Sequence, residues 1–439
     1  MYQTVYESKT TAPAPINLKP EVLIIGGGIV GMTVARELAR EGVQVVIAEK
    51  GETLGGGARD LHFFYDQPAD VQKWMGDLIS ALEGEGNIHV LKGAKLKRLD
   101  GQLGRFQALI NTNEGRENVL SPSVVVVATG CITRPSDALG NGDRIIGSSE
   151  MEKLLAESRD LPLTWKGQPV KTVTFILDLT NDDIKIHTVN AIKQAVILRE
   201  KGCQVAVVAR DLKVSASGME LLYRQAREKG VLFFKYDEPP VLSHTGDGIS
   251  VEISDMTVLR KEERETVSLL SDLVVIGETF AADPETLELC RVMKLRAGTG
   301  GVLMEDNPQF LRVMSNRRGI FLAGACRFPQ VITESLSEAH AVVQEVKALL
   351  HGGVYTPVNP VAEVDPPKCA VCYTCVRLCP HAAIGVERYG DRNVYSAPAE
   401  TAEKNGDTLW GAARVDPAAC FGCGICVAEC PARAITLYQ

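Results

Sequence analysis

Two cysteine runs near the end of the chain have the residue types and spacing to do chemistry: Cys369, Cys372, Cys375, Cys379, and Cys420, Cys423, Cys426, Cys430. Each reads C-x2-C-x2-C-x3-C and is followed by a proline, Pro380 or Pro431. A thiolate every three residues lets one tight loop wrap three corners of an iron–sulfur cube, and the fourth cysteine reaches a neighbouring cube. On that rule one 4Fe–4S cluster takes Cys369, Cys372, Cys375 and Cys430, and the other takes Cys420, Cys423, Cys426 and Cys379. Zinc is the competing chemistry, but its sites use two C-x2-C pairs or mix in histidine. Two adjacent clusters form an electron wire, so the rest of the chain is read for what feeds that wire or draws from it.

The second chemical signal lies at the other end. Glu21-Val-Leu-Ile-Ile runs directly into Gly26-Gly27-Gly28-Ile29-Val30-Gly31, a G-x-G-x-x-G loop. A helical pattern follows from Met32 to Arg40, then a stop at Gly42, a strand over Val43 to Ala48, and the acid Glu49. This is the dinucleotide fingerprint in its full context of strand, glycine loop, helix, strand and acid. Gly26 makes the turn, Gly28 lets the backbone approach a pyrophosphate, and Gly31 lets helix and sheet pack. The helix N-terminus offers unpaired N–H groups to the phosphates, and Glu49 stands where a carboxylate binds ribose hydroxyls.

Between these ends the chain repeats one plan. Strand-like runs from Asn87 to Val119 read as a β-meander. They end in Val124-Val-Val-Val-Ala-Thr129-Gly130, which resembles the second FAD-contacting segment of flavoproteins with two dinucleotide-binding domains, such as thioredoxin and glutathione reductases. A second α/β unit begins with a strand over Lys171 to Leu177 and a helix over Ile184 to Lys201. It continues through a meander from Val241 to Val267 to Asp272-Leu-Val-Val-Ile-Gly277. Its first loop reads Asp178-Leu-Thr-Asn-Asp-Asp183 where a nicotinamide site needs glycines, and acids there repel a pyrophosphate. Arg210 stands where a ribose-binding acid belongs. This unit is therefore expected to be a scaffold or docking domain.

A third apolar strand, Arg318-Gly-Ile-Phe-Leu-Ala-Gly324-Ala-Cys326, is expected to return to the ribitol end of FAD. The expected contact set for FAD is Gly26, Gly28, Ile29, Val30, Gly31, Glu49, Lys50, Gly57, Thr129, Gly130, Gly324 and Ala325. The sequence points to no catalytic residue. Cys131, Cys203, Cys290 and Cys326 stand alone, so no disulfide-reductase dithiol is present, and Cys131 and Cys326 read as small core residues. His62 and His340 read as structural, and Phe63-Phe64-Tyr65 as core packing.

With 439 residues and 45% hydrophobic content, a sizeable multidomain core is available. The net charge of -8 and the lack of a dense basic patch argue against nucleic-acid binding. Residues 1–20 are polar with no apolar run, which is unlike a signal peptide, and no run is long enough to span a membrane. Oxygen-labile clusters imply a reducing interior, so the expected location is cytoplasmic, with membrane association only through a partner. The expected fold is α/β: two Rossmann-like, thioredoxin-reductase-like domains plus a C-terminal α+β ferredoxin domain of the bacterial two-cluster type. The expected boundaries are a tail over 1–20, an FAD domain over 21–150 and 277–352, an inserted domain over 151–276, a linker over 353–367, and the ferredoxin domain over 368–439. The stretch Glu387 to Trp410 is a polar insertion in that last domain.

The fingerprint, Ala-Thr129-Gly130, Tyr223-Arg-Gln-Ala-Arg-Glu-Lys-Gly230, Gly319-Ile-Phe-Leu-Ala-Gly-Ala-Cys326 with Pro329 and Glu334-Ser335, and the double cysteine run together resemble the HdrA family of heterodisulfide reductase, in a shortened form. That resemblance implies an FAD and iron–sulfur protein, often dimeric, that passes electrons among partner subunits, in some complexes by flavin-based bifurcation. Expected partners are HdrB-like and HdrC-like redox proteins, or other iron–sulfur or membrane quinone-interacting proteins, since relatives serve quinone-interacting complexes, sulfur oxidation and aromatic acyl-CoA reduction. Two other functions compete: a free-standing NAD(P)H:ferredoxin-type oxidoreductase, and a structural adaptor with vestigial cofactors.

Overall fold

The computed structural model describes residues 6–7, 14–67, 69–134, 136, 142–159, 161–179, 184–246, 248–254, 266–357, 360–388, 403–404, 407–408 and 411–438. Most of the first 20 residues, Thr180 to Asp183 and most of the Glu387 to Trp410 insertion lie outside it.

The first domain is built on four parallel strands: Glu21–Ile25, Gln44–Ala48, Ile88–Leu91 and Val124–Val127. Val22, Leu23, Ile24 and all of Val124–Val127 are buried, as expected of strands covered on both faces. The strand Ile320–Leu322 pairs in parallel with Val124–Val127, and antiparallel strands from residues 296–315 extend the sheet to eight. Helix Ile29–Arg40 packs its apolar face, Val30, Val34, Ala35 and Leu38, against the sheet and against helix Ile332–Leu350. The expected meander is the antiparallel set Ala94–Asp100, Gln107–Thr112 and Glu117–Leu120.

The inserted domain repeats the plan with a parallel sheet of Ile145–Gly147, Leu273–Ile276, Thr172–Ile176, Gln204–Ala209 and Leu232–Lys235. Ile145–Gly147 pairs with Leu273–Ile276, so the chain enters this domain a few residues before 150. There the backbone polar groups of the three-residue strand find ladder partners. The two connections pair with each other, Ile132–Arg134 against Thr279–Ala281.

The C-terminal module is pseudo-symmetric. Val361–Val364 pairs with Ile435–Tyr438, and Ile384–Arg388 with Gly411–Val415. Matching points of the two cysteine loops have left-handed backbone: Val371 and Tyr373 in one, Gly422 and Gly424 in the other, followed by Ala382 and Arg433. Such non-glycine residues are rare outside constrained sites, and they hold both loops to one geometry. Of the polar insertion, Glu403–Lys404 pairs with Asp407–Thr408.

Candidate functional site

A cavity of about 690 Å³ opens where the first domain's parallel strands end, and it extends toward the inserted domain. The glycine loop forms one wall. Gly26 has φ +108, and a Cβ there would sit 2.3 Å from the Ala128 carbonyl oxygen. A Cβ on Gly31 would sit 2.0 Å from the Gly26 carbonyl oxygen. Gly28 differs, because a Cβ there meets nothing nearer than 4.0 Å. Gly28 is also the N-cap of helix Ile29–Arg40, whose first turn has no acidic residue, so the positive end of the helix faces the cavity without a competing anion.

Of the expected contact residues, Gly26, Gly28, Ile29, Val30, Glu49, Lys50, Gly57, Thr129, Gly130 and Ala325 line this cavity. Gly31 and Gly324 do not, and their part is packing: a Cβ on Gly324 would press on Val30 at 2.8 Å. Glu49 accepts from the Gly27 N–H at 2.6 Å and the Gly51 N–H at 2.7 Å, so it fixes the loop while leaving lone pairs for a ligand hydroxyl. Lys50 pairs with Asp283 and, at 3.5 Å, with Glu285, so it faces a carboxylate rim. The Thr129 hydroxyl is buried without a hydrogen-bond partner among the described residues. Buried polar groups rarely stay so, and a ligand's polar atoms would satisfy it. A long cavity, a bare helix N-terminus, an acid at the second strand and an orphan hydroxyl together fit FAD.

Several cavity residues carried no sequence signal. Lys193 (5% exposed) and Glu152 (1% exposed) form a buried ion pair at 2.8 Å, and Lys193 lines the cavity. Glu152 also accepts from Gln194 and from the backbone N–H groups of His62 and Phe63. Burial pushes the Glu152 carboxyl up, but the Lys193 charge and these hydrogen bonds outweigh it and hold it below the usual range. Glu278 also lines the cavity and is raised by burial, partly offset by hydrogen bonds from Ser149. Phe63 and Tyr65 are on the cavity wall, whereas Phe64 packs edge-on against Trp74. Cys131 is on the wall as well. Cys326 is fully buried and its thiol is pushed up to about 12 by burial, which makes it inert. His340 is exposed.

The cysteines line two small cavities of about 20 Å³ each. Cys379, Cys420, Cys423 and Cys426 line one, and Cys369, Cys372, Cys375 and Cys430 the other. Among the described residues no group of Cys, His, Asp or Glu is drawn together as a single bound ion requires; the sulfurs instead surround a central space. Burial, then the neighbouring sulfurs, push the Cys426 thiol up to about 12. Thiolates crowded in this way need a cationic centre, which is the chemistry an iron–sulfur cluster supplies. Backbone N–H groups already point at sulfur: Ala383 to Cys379, Gly422 to Cys420, Ala434 to Cys430 and Ala413 to Cys369, at 3.3–3.4 Å.

The cysteine module docks on the edge of the first domain opposite the large cavity. Asn316 donates to the Pro380 carbonyl at 2.7 Å, Gln102 donates to the Ala382 carbonyl at 2.8 Å, and Arg105 pairs with Asp416 at 2.9 Å. The strand Ala94–Asp100 links the two, since its first four residues line the large cavity and Gln102, just beyond its end, reaches the module.

In the inserted domain Asp178 has left-handed backbone and accepts from the Asp211 N–H at 2.9 Å. Tyr236 donates to the Leu177 carbonyl at 2.6 Å, with the Arg210 guanidinium 5.7 Å from its ring. The first strand thus ends in a carboxylate.

Two family profiles match the chain: an NAD(P)-binding Rossmann-like domain over residues 24–72 and a 4Fe-4S dicluster domain over residues 356–435. A heterodisulfide reductase HdrA-like protein of Archaeoglobus profundus is 20% identical over 86% of this chain and 72% of its own length. An iron-sulfur HdrA protein of the CoB–CoM heterodisulfide reductase of Methanopyrus kandleri is 23% identical over 84% of this chain and 70% of its own. Among solved structures, thioredoxin reductase of Lactococcus lactis superposes with a TM-score of 0.52 at 18% identity, over 75% of this chain and 98% of its own, a likeness of fold.

Proposed function

We propose that this chain, similar over most of its length to HdrA proteins of heterodisulfide reductase, is the electron-transfer flavoprotein component of a multi-subunit oxidoreductase, with FAD in the glycine-walled cavity and two 4Fe–4S clusters in its C-terminal module. The observation that carries this reading is the presence in one chain of a dinucleotide-sized cavity of about 690 Å³ and two cavities each walled by four sulfurs. FAD, when bound, supplies two-electron chemistry that can be split into single steps, which is what links paired donors to iron–sulfur carriers.

The residues divide that work. Gly28 and the start of helix Ile29–Arg40 would receive the pyrophosphate, Glu49 the ribose hydroxyls, and Thr129, Gly130 and Ala325 the part nearer the flavin. The Lys193 ammonium is held at the wall by Glu152 and Phe63, where it would favour negative charge on a bound ring. The eight cysteines would hold the clusters in the crossed arrangement. The carboxylate of Asp178 at the end of its first strand disfavours a nicotinamide in the inserted domain, and among the described residues no cysteine pair lines the large cavity. Electrons are therefore exchanged with another redox protein rather than with a small substrate. Its partners are iron–sulfur proteins like those in the complexes for which its relatives are named. Among the described residues no helix is long and apolar enough to cross a membrane, and membrane contact is assigned to a partner.

Anaerobic purification with flavin, iron and sulfide analysis tests the assignment. One FAD and two 4Fe–4S clusters per chain are expected; zinc in place of iron, or a protein that takes up no FAD, would refute it.

A further inference from the structure

We propose that Arg318 makes the two cluster sites unequal, raising the reduction potential of the one walled by Cys379, Cys420, Cys423 and Cys426 so that an electron rests there. The inference depends on the reading that both sites hold 4Fe–4S clusters.

The module's own symmetry would make the two sites nearly alike. Backbone N–H groups are directed at sulfur in both, from Ala383 and Gly422 in the site walled by Cys379, Cys420, Cys423 and Cys426, and from Ala434 and Ala413 in the outer site, walled by Cys369, Cys372, Cys375 and Cys430; His381 adds to the first, and Val376 and Thr374 add to the second. Each run is preceded by an aspartate at the matching position, Asp416 paired with Arg105 and Asp365 paired with Lys368. The outer site also has the Thr374 hydroxyl 3.4 Å from Cys372. Arg377 acts on Cys372 too, but from an exposed position where solvent screens it.

The symmetry breaks one residue after the first cysteine of each run. Ala370 stands in one loop and Phe421 in the other. The Phe421 ring stacks on His381 at 4.1 Å with the planes 7° apart. The Arg318 guanidinium, from the first domain, lies 4.5 Å from the same ring and 5.3 Å from the Tyr355 ring, and it reaches the Cys420 carbonyl at 3.4 Å. Its Nε is buried with no hydrogen-bond partner among the described residues. Its hydrogen-bond partner is the Cys420 carbonyl, and among the described residues no carboxylate forms an ion pair with it. A guanidinium is charged at any working pH. A reduced cluster carries one more negative charge than an oxidised one, so an unneutralised, partly desolvated cation beside it favours the reduced form. Ala370 offers no ring on which a guanidinium could seat, so the outer cluster lacks this influence.

The test is an EPR-monitored redox titration of the full chain with its clusters in place, comparing wild type, R318Q and R318K. Wild type should show two resolved one-electron potentials. R318Q should lower the upper one by about a tenfold change in its equilibrium, about 59 mV for one electron, and leave the lower one nearly fixed, while R318K should recover part of the loss. If R318Q moves neither potential, or moves both equally, or if R318K matches R318Q, Arg318 does not set the difference. If R318Q fails to take up its clusters, R318M decides the matter: it keeps an apolar stem over the Phe421 ring but removes the charge, and an unchanged upper potential would rule the proposal out. A wild-type chain without two clusters would instead overturn the reading underneath.

Discussion

Cys379 and Cys426 belong to different cysteine runs, yet they line one cavity. Cys375 and Cys430 do the same at the other. If these cavities hold clusters, ligand loss should sort by cavity and not by run. C379A should therefore leave the same residual EPR spectrum as C423A, and C430A the same as C372A. Grouping of C379A with C372A would show that each run holds its own cluster.

Gly28 and Gly26 should fail in different ways. At Gly28 a side chain meets nothing within 4 Å other than Gly56 at 4.0 Å, so G28D should fold normally. Its carboxylate would face the pyrophosphate, a repulsion on the order of 4 kcal/mol at close range, and should weaken FAD binding by two to three orders of magnitude (about that energy). G26A should unfold at lower temperature even without FAD, because its Cβ clashes with backbone at 2.3 Å. Fluorescence titration with FAD and thermal melts of the apoprotein separate the two.

Removing one partner of the buried Lys193–Glu152 pair strands the other. K193M and E152Q should each cost about 3–5 kcal/mol in denaturant unfolding, and the double variant should recover part of that. The pH dependence follows in sign. Glu152 is held below its ordinary value, so its contribution is fully present above the unfolded carboxylate pKa. It is lost as pH falls through the lower folded value. Wild type should therefore lose stability on acidification more steeply than E152Q.

The glycine loop, the acid after the second strand and both cysteine runs were legible because their chemistry depends on local spacing, and each motif keeps its residues within a turn or two of one another. The residues that make the cavity wall specific were not. Lys193 sits mid-helix and Glu152 on another helix, 41 positions apart, and only tertiary packing brings them together. Arg318 reads as the first residue of an apolar strand, and nothing in its neighbourhood announces Phe421. The crossover into the inserted domain was not legible to the residue, because Ile145–Gly147 is too short to declare which sheet it joins.

Arg318 and Ala323 lie near opposite ends of one strand segment, the first touching the cysteine module and the second lining the large cavity. Electron tunnelling falls off exponentially with distance, and the five residue steps from Arg318 to Ala323 span about 17 Å at ~3.4 Å per residue. In the isolated chain, flavin and cluster reduction should therefore separate in time under rapid freeze-quench, with the second lagging. Simultaneous appearance of both signals at every time point would mean that the module leaves this docking position.

The central claim is that this chain exchanges electrons with a redox protein and not with a nicotinamide. Anaerobic stopped-flow absorbance at the flavin band measures it directly. NADH and NADPH should leave the FAD oxidised, while a reduced low-potential iron–sulfur protein should bleach it. Rapid bleaching by either nicotinamide alone would contradict the account.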